Sequence, residues 1–390
     1  MRLTTATGLH WFISLCLLFG CGFSQAATLK VGAEHPEKYL PLLTHKRVGL
    51  VVNQTSRVCQ QHLVDYLIAQ NVSVQAVFAP EHGFRGKLGA GEQVTDGLDP
   101  KTGLPVRSLY GKYKKPDRTM LNDIDVLIFD IQDVGARFYT FISTLHYVLE
   151  AAAEQRIPVI VLDRPNPNGR YVDGPLREEP FSSFVGLDPI PLLHGLTVGE
   201  LALMIRGESW INQASELKLT VIPVTGYTKS MAYDLPVAPS PNLPNSTAIR
   251  LYPSLCLFEA TVVSVGRGTD WPFQVIGHHQ VKLGEFAFTP RPMPESAPNP
   301  KLEGQPLFGR DLRSSTMHGF DIELLYEVYH KFADAGSTFI DRPDFFDLLS
   351  GTDKLRKQLA QGLTPDAIRA SWQSDLADFN ARRQPYLRYP

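Results

Sequence analysis

Apolar and polar positions along the 390-residue chain follow two alternating periods. Near-continuous apolar runs rich in β-branched residues fall at Arg47–Val52, Ser73–Ala79, Asp125–Phe129 and Pro158–Leu162. Such runs predict strands buried on both faces, the signature of parallel pairing. Between them the pattern changes to a helical period over Gln60–Gln70 and Phe141–Gln155. A helix over Val198–Ile205 and a strand over Leu217–Pro223 continue the alternation. Strand–helix alternation with apolar strands predicts an α/β fold built on a doubly wound sheet.

The pattern breaks at Leu235–Asn245, where four prolines in eleven residues predict a rigid extended connector. Beyond it come short strands near Thr261–Val265 and Phe273–Val275, then helices at Asp321–Ala335, Asp353–Gln361 and Thr364–Arg382. The chain is therefore expected to hold a sheet domain over residues 27–235 and a smaller α+β domain over residues 236–390. Residues 1–26 read differently: Arg2, an apolar stretch from Trp11 to Phe19, and the small-x-small triplet Ser24-Gln25-Ala26. This is the pattern of an export leader cleaved before Ala27, which implies a periplasmic protein. Cleavage there fits better than acylation at Cys21, because Phe19 is bulky for a lipoprotein processing site. No later stretch is long and apolar enough for a spanning helix.

Composition narrows the chemistry. With 43% hydrophobic and 20% charged residues the chain is of ordinary globular type. Its 38 basic against 40 acidic side chains leave no field for gripping nucleic acid. Outside the leader only Cys59 and Cys256 are left, which read as isolated buried thiols rather than a disulfide framework. The first strand is followed by no G-x-G-x-x-G, and the chain has no Walker loop, G-x-S-x-G elbow or H-E-x-x-H. His278-His279 lacks companion ligands, so neither a cofactor nor a metal is expected. No obligate protein partner is implied.

Ligands of open α/β sheets bind beyond the carboxyl ends of the strands. Four successive strand ends here carry polar clusters: Asn53-Gln54-Thr55, Pro80-Glu81-His82-Gly83-Phe84-Arg85-Gly86, Asp130 through Arg137, and Asp163-Arg164-Pro165-Asn166-Pro167-Asn168. Asn53 and Asp163 fit helix capping as well as they fit a site. Glu81 has no such duty, and its apolar neighbours Ala79, Pro80 and Phe84 form the kind of setting in which a carboxylic acid donates protons. Glycosidic cleavage needs such an acid and a second group at the anomeric carbon, for which Asp130 and Asp133 are candidates. Tyr110, Phe138, Tyr139 and Trp271 could wall a sugar site.

These segments also carry a family resemblance. The motifs VVNQTS (51–56), PEHGFRG (80–86), SLYG (108–111), DIQDVGARFYT (130–140), LDRPNPNG (162–169), HGLTVGELA (194–202), SPNLPN (240–245), CLFEAT (256–261) and GRGTDWPFQVIG (266–277) stand in order, and the ending SWQSDLADFNARRQPYLRYP completes them. The mature chain resembles the NamZ-type exo-β-N-acetylmuramidases, peptidoglycan glycosidases of a family formerly catalogued as a domain of unknown function. The resemblance implies a Rossmann-like domain carrying the active site and an auxiliary domain closing a cleft. It implies release of N-acetylmuramic acid from the non-reducing end of peptidoglycan fragments, with Glu81 as the acid. It extends substrate contact to His82, Asp133, Arg137, Asn166, Asn168 and Arg267, and His82 and Asp133 are expected beside Glu81 in the catalytic set. Asn53, Arg85, Asp130, Gln132, Tyr139, Arg164 and His194 complete the expected binding set. Two positions depart from the family pattern: Val265 and Gln274 stand where acids are usual. A sugar- or muropeptide-binding protein without catalysis is the alternative consistent with those departures. An esterase or amidase would have only Ser108 as a plausible serine.

Overall fold

The computed structural model describes residues 28–85 and 96–390; the expected leader, Cys21 and Gly86 lie outside the described residues. Seven strands form the main sheet: β1 (Arg47–Val52), β2 (Ser73–Ala79), β3 (Gly97–Leu98), β4 (Pro105–Ser108), β5 (Val126–Asp130), β6 (Val159–Leu162) and β7 (Leu219–Ile222). Their order is β7-β6-β5-β1-β2-β4-β3, parallel except for the short β3 at one edge. Period-two alternation explains the burial of both faces. Val48, Leu50, Val52, Val126 and Ile128 pack with Leu63, Val64 and Leu67 of α1 (Leu63–Ala69) on one side. Val51, Phe78, Leu127 and Phe129 pack with Leu145, Val148 and Leu149 of α2 (Phe141–Gln155) on the other. The helix α3 (Val198–Gly207) begins with a reciprocal capping box between Thr197 and Glu200.

The apolar cluster on the α2 side runs on without a break into the second half of the chain, through Leu257, Phe258, Phe332, Phe346 and Trp372. That half contains α4 (Ser246–Leu255), a three-stranded antiparallel sheet of β8 (Val275–His278), β9 (Phe286–Phe288) and β10 (Leu307–Asp311), and five further helices. These are α5 (Ile322–Asp334), α6 (Pro343–Ser350), α7 (Lys354–Ala360), α8 (Pro365–Ala370) and α9 (Gln373–Arg383).

Several expected elements differ. Thr261–Val265 is not a strand: Ser264 makes a single bridge to Gly277 and no ladder follows. The neighbouring strand starts at Val275 rather than Phe273, whose φ of 54° is outside the strand region. The helix expected over Thr364–Arg382 breaks at Ser371–Trp372, where the buried Trp372 indole donates to Asp173 Oδ1 at 3.2 Å. Cys256 is buried as expected, but Cys59 is exposed.

Arg137 has a structural place that the sequence reading did not anticipate. It is fully buried, and its Nη1 donates to the carbonyls of Pro175 (2.8 Å) and Ile190 (2.9 Å), its Nη2 to that of Leu349 (3.0 Å). Gly351, at φ 78°, leaves room for the guanidinium; a Cβ there would sit 2.6 Å from Nη2. Burial, reinforced by nearby Arg177, lowers the Arg137 pKa to about 9. The expected substrate contact by Arg137 is therefore corrected: the side chain is buried away from the cleft and both its terminal nitrogens donate to carbonyls that join the first half of the chain to α6. Arg137→Ala is expected to lower unfolding free energy by about 3 kcal/mol, because it orphans buried acceptors. Urea denaturation at neutral pH measures this, and a loss under about 1 kcal/mol would contradict the assignment.

Candidate functional site

The chain runs from β1 to β2 on one side of β1 and later to β5 on the other, so the strand order reverses at β1. The carboxyl ends of β1, β2 and β5 meet at this reversal, where open sheets leave a crevice. Glu81 stands one residue beyond the Pro80 that follows β2. A tight turn closed by Gly83 N–H to the Pro80 carbonyl (3.0 Å) follows at once, with His82 at φ 69° and Gly83 at φ 76°. Left-handed backbone at a histidine is uncommon and costs conformational energy, a feature concentrated at functional sites. The turn takes Glu81 out of the line of the strand.

Glu81 is half-buried, and Thr140 Oγ1 donates to its Oε2 at 2.6 Å. Thr140 is the residue before α2, a position whose hydroxyl commonly caps the helix, and here it makes no cap bond. Tyr110 hydrogen-bonds Glu81 as well; burial and the carboxylate together push its phenol up. The cleft beside Glu81 has a cavity volume of about 70 Å³. It is walled by His82, Phe138, Tyr139 and Thr140 from the sheet side and by Ser240, Asn242, Leu243, Tyr252, Arg267 and Phe273 from the other. Glu81 is the only carboxylate among the described residues lining it. Tyr139, Tyr252 and Phe273 stack edge to face at 4.9–5.8 Å, building an apolar wall. Arg267 is the cation of the cleft. Its Nε donates to both Glu259 oxygens at 3.1 Å and its guanidinium lies 4.9 Å over the Phe273 ring.

The structure thus brings together Glu81, His82, Tyr139 and Arg267 from the expected set. The others lie elsewhere. Asp130 is fully buried in a bidentate pair with Arg164, at 2.6 and 2.9 Å, and Arg164 also donates to the Arg57 carbonyl. Both are consumed by this pair below the cleft, which corrects the expected substrate contacts. Asp133 is buried too, accepting from Gly135 N–H at 2.7 Å, and burial raises its pKa to about 7. It does not line the cleft, although its charge acts on Tyr139, which does. Gln132 donates to the carbonyls of Asp133 and Pro165, Asn166 to that of Leu196, and Asn168 to that of Val134. Asn53 closes a local turn by accepting from the Thr55 N–H and hydroxyl, at 2.9 and 2.6 Å. Asp163 accepts from the Gly199 N–H at the start of α3, a capping role, and from the Tyr389 hydroxyl. His194 is buried, its pKa lowered to about 3 by burial and nearby cations. Arg85 pairs with Asp99 at 2.7 Å and lines a separate polar groove with Gln54, Arg57 and Lys101.

Trp271 also misses the cleft and packs against Phe286 and Arg313. Val265 is buried, and the buried Gln274 accepts from Asn245 at 3.2 Å; neither lines the cleft. Thr140, Ser240, Asn242, Leu243, Tyr252 and Phe273 were not singled out from the sequence as cleft residues except within quoted motifs. The available signal was the cluster of polar side chains inside the proline-rich connector, Ser240 and Asn242.

Comparison with known proteins agrees with this architecture. A crystal structure of a DUF1343 family protein from Bacteroides fragilis NCTC 9343 superposes with a TM-score of 0.84, at 43% identity, over 93% of this chain and 99% of that one. A second from the same organism gives 0.81 at 32% identity, again over 93% and 99%. The peptidoglycan beta-N-acetylmuramidase NamZ of Bacillus subtilis (strain 168) is 38% identical over 90% of this chain and 89% of its own length. Residues 48–247 match the N-terminal region, and residues 250–389 the C-terminal region, of the family described as exo-beta-N-acetylmuramidase NamZ. The chain, with one carboxyl group facing a cleft walled by both regions, belongs to the NamZ exo-β-N-acetylmuramidase family.

Proposed function

We propose that this protein hydrolyses the bond to a non-reducing terminal N-acetylmuramic acid in peptidoglycan fragments, with Glu81 as the proton donor. The observation that carries the reading is the placement of Glu81 at the mouth of a walled cleft, with Thr140 fixing one carboxyl oxygen. Hydrolysis of a glycoside requires a proton on the bridging oxygen as its bond to the anomeric carbon breaks, and water then supplies the hydroxyl at that carbon. A carboxyl held by two neighbouring hydroxyl groups meets the geometric demand, since misplacement by an ångström is costly in rate. The apolar wall of Tyr139, Tyr252 and Phe273 suits the sugar face, and His82 lies beside the acid.

Muramic acid differs from glucosamine in its lactyl carboxylate, and a guanidinium is the natural partner for that group. Of the arginines expected to bind substrate, Arg85, Arg137, Arg164 and Arg267, Arg267 alone lines the cleft. Glu259 holds its Nε, which leaves the terminal amino groups without a protein acceptor among the described residues. Residues 1–26 support export to the periplasm as the setting in which such a substrate is met.

Glu81→Gln is expected to lower turnover of a muramic acid-terminated disaccharide by 100-fold or more, read as released monosaccharide by mass, with an unaltered thermal midpoint. Near-parental turnover would reject Glu81 as the acid. Calorimetric binding of the disaccharide by the parent without any product would instead favour the non-catalytic binding protein. Arg267→Gln is expected to reduce the preference for muramic over glucosamine aryl glycosides by about tenfold or more, the value of one charge-assisted hydrogen bond. An unchanged preference would assign selectivity elsewhere.

A further inference from the structure

Tyr110 hydrogen-bonds Glu81 and does not line the cleft. From it an aromatic row leads away. The Tyr110 and Phe184 rings are 6.2 Å apart, and Phe184 lies parallel to Tyr147 at 6.3 Å and 10°. All three are half-buried rather than enclosed. Lys114 places its ammonium 4.7 Å over Phe184, and Lys112 lies 5.0 Å over the exposed Tyr113. Neither lysine forms an ion pair among the described residues, whereas the adjacent Lys115 is held by Glu150 and Glu154.

Helix geometry sets the direction and length of this row. Thr140, which holds Glu81, and Tyr147 are seven residues apart at the start of α2, hence on the same face and separated by roughly 10 Å. That is the span of a disaccharide. Partly open aromatic faces beside uncompensated cations are unusual on a surface and mark a binding surface for something both ring-shaped and anionic. With the terminal sugar read as sitting in the cleft, the aromatic row reached through Tyr110 is a path for the rest of the glycan outside the cleft lining.

We propose that Tyr110, Phe184 and Tyr147, with Lys112 and Lys114, form a shelf for the departing glycan. Its sugar rings lie against the aromatic faces, and the lysines face the carboxylates of its lactyl or peptide substituents. This rests on the reading of Glu81 as proton donor, but it can be tested without turnover. In full-length Glu81→Gln protein, calorimetry compares the disaccharide of muramic acid and N-acetylglucosamine with the corresponding tetrasaccharide. The tetrasaccharide is expected to bind three- to tenfold more tightly, the range of one or two aromatic contacts. Phe184→Ala should abolish that advantage and Phe184→Tyr restore it, while Lys112→Gln with Lys114→Gln should flatten its dependence on salt. Equal binding of the two oligosaccharides, an advantage that survives Phe184→Ala, or an equal loss on both ligands would overturn the shelf. Retained tetrasaccharide preference in a parent that releases no sugar would overturn the hydrolase reading alone.

Discussion

The arrangement depends on how the segment from Asp130 to Thr140 is pinned from below. Within it the charged groups Asp130, Asp133 and Arg137 all turn inward. They satisfy Arg164, a backbone N–H and three carbonyls respectively. Burying charge is costly, and these bonds hold the segment in place even though Asp133 Oδ1 and Arg137 Nε are buried without a partner among the described residues. The segment emerges at Phe138, Tyr139 and Thr140, the three residues of it that line the cleft, so their positions follow from what is buried beneath them. The Thr140 hydroxyl then aligns Glu81, which lies on a different strand end.

The second support comes from across the cleft. Asn245 caps α4 through the Ala248 N–H at 2.9 Å and also reaches Gln274, so the helix carrying Tyr252 and the loop carrying Phe273 are tied together. At position 274 it is the side-chain oxygen that accepts from the Asn245 amide, and an acid there would keep such an oxygen. A carboxylate would accept the same bond. The departure from the family pattern is thus compatible with the local geometry.

The fold was legible because buried parallel strands write themselves as apolar runs, as at Arg47–Val52 and Ser73–Ala79, and because the helical period over Phe141–Gln155 stands out between them; all three carry the expected boundaries. The short β4 and the helix α4 were not legible, the first because its residues, Pro105–Ser108, are mostly half-buried or exposed and form no apolar run, and the second because Pro253 interrupts its pattern. Within the site, Glu81 could be picked out because no structural duty was evident for it. Asp130, Arg164 and Arg137 could not be separated from it by sequence, since a polar residue after a strand looks the same whether it faces a ligand or a buried partner. Tyr252 and Phe273 were hidden for the opposite reason: apolar wall residues are written like any core residue.

The two family regions end and begin at residues 247 and 250, both within α4. One end of this helix contributes Ala248 and Ile249 to the apolar interior, and its further turn supplies Tyr252 to the cleft. A gene cut at that seam would sever a hydrogen-bonded helix, leaving one fragment without its wall and the other without its acid. The halves are therefore bound to be inherited as a unit, and shuffling either onto a foreign partner would require carrying the whole helix along.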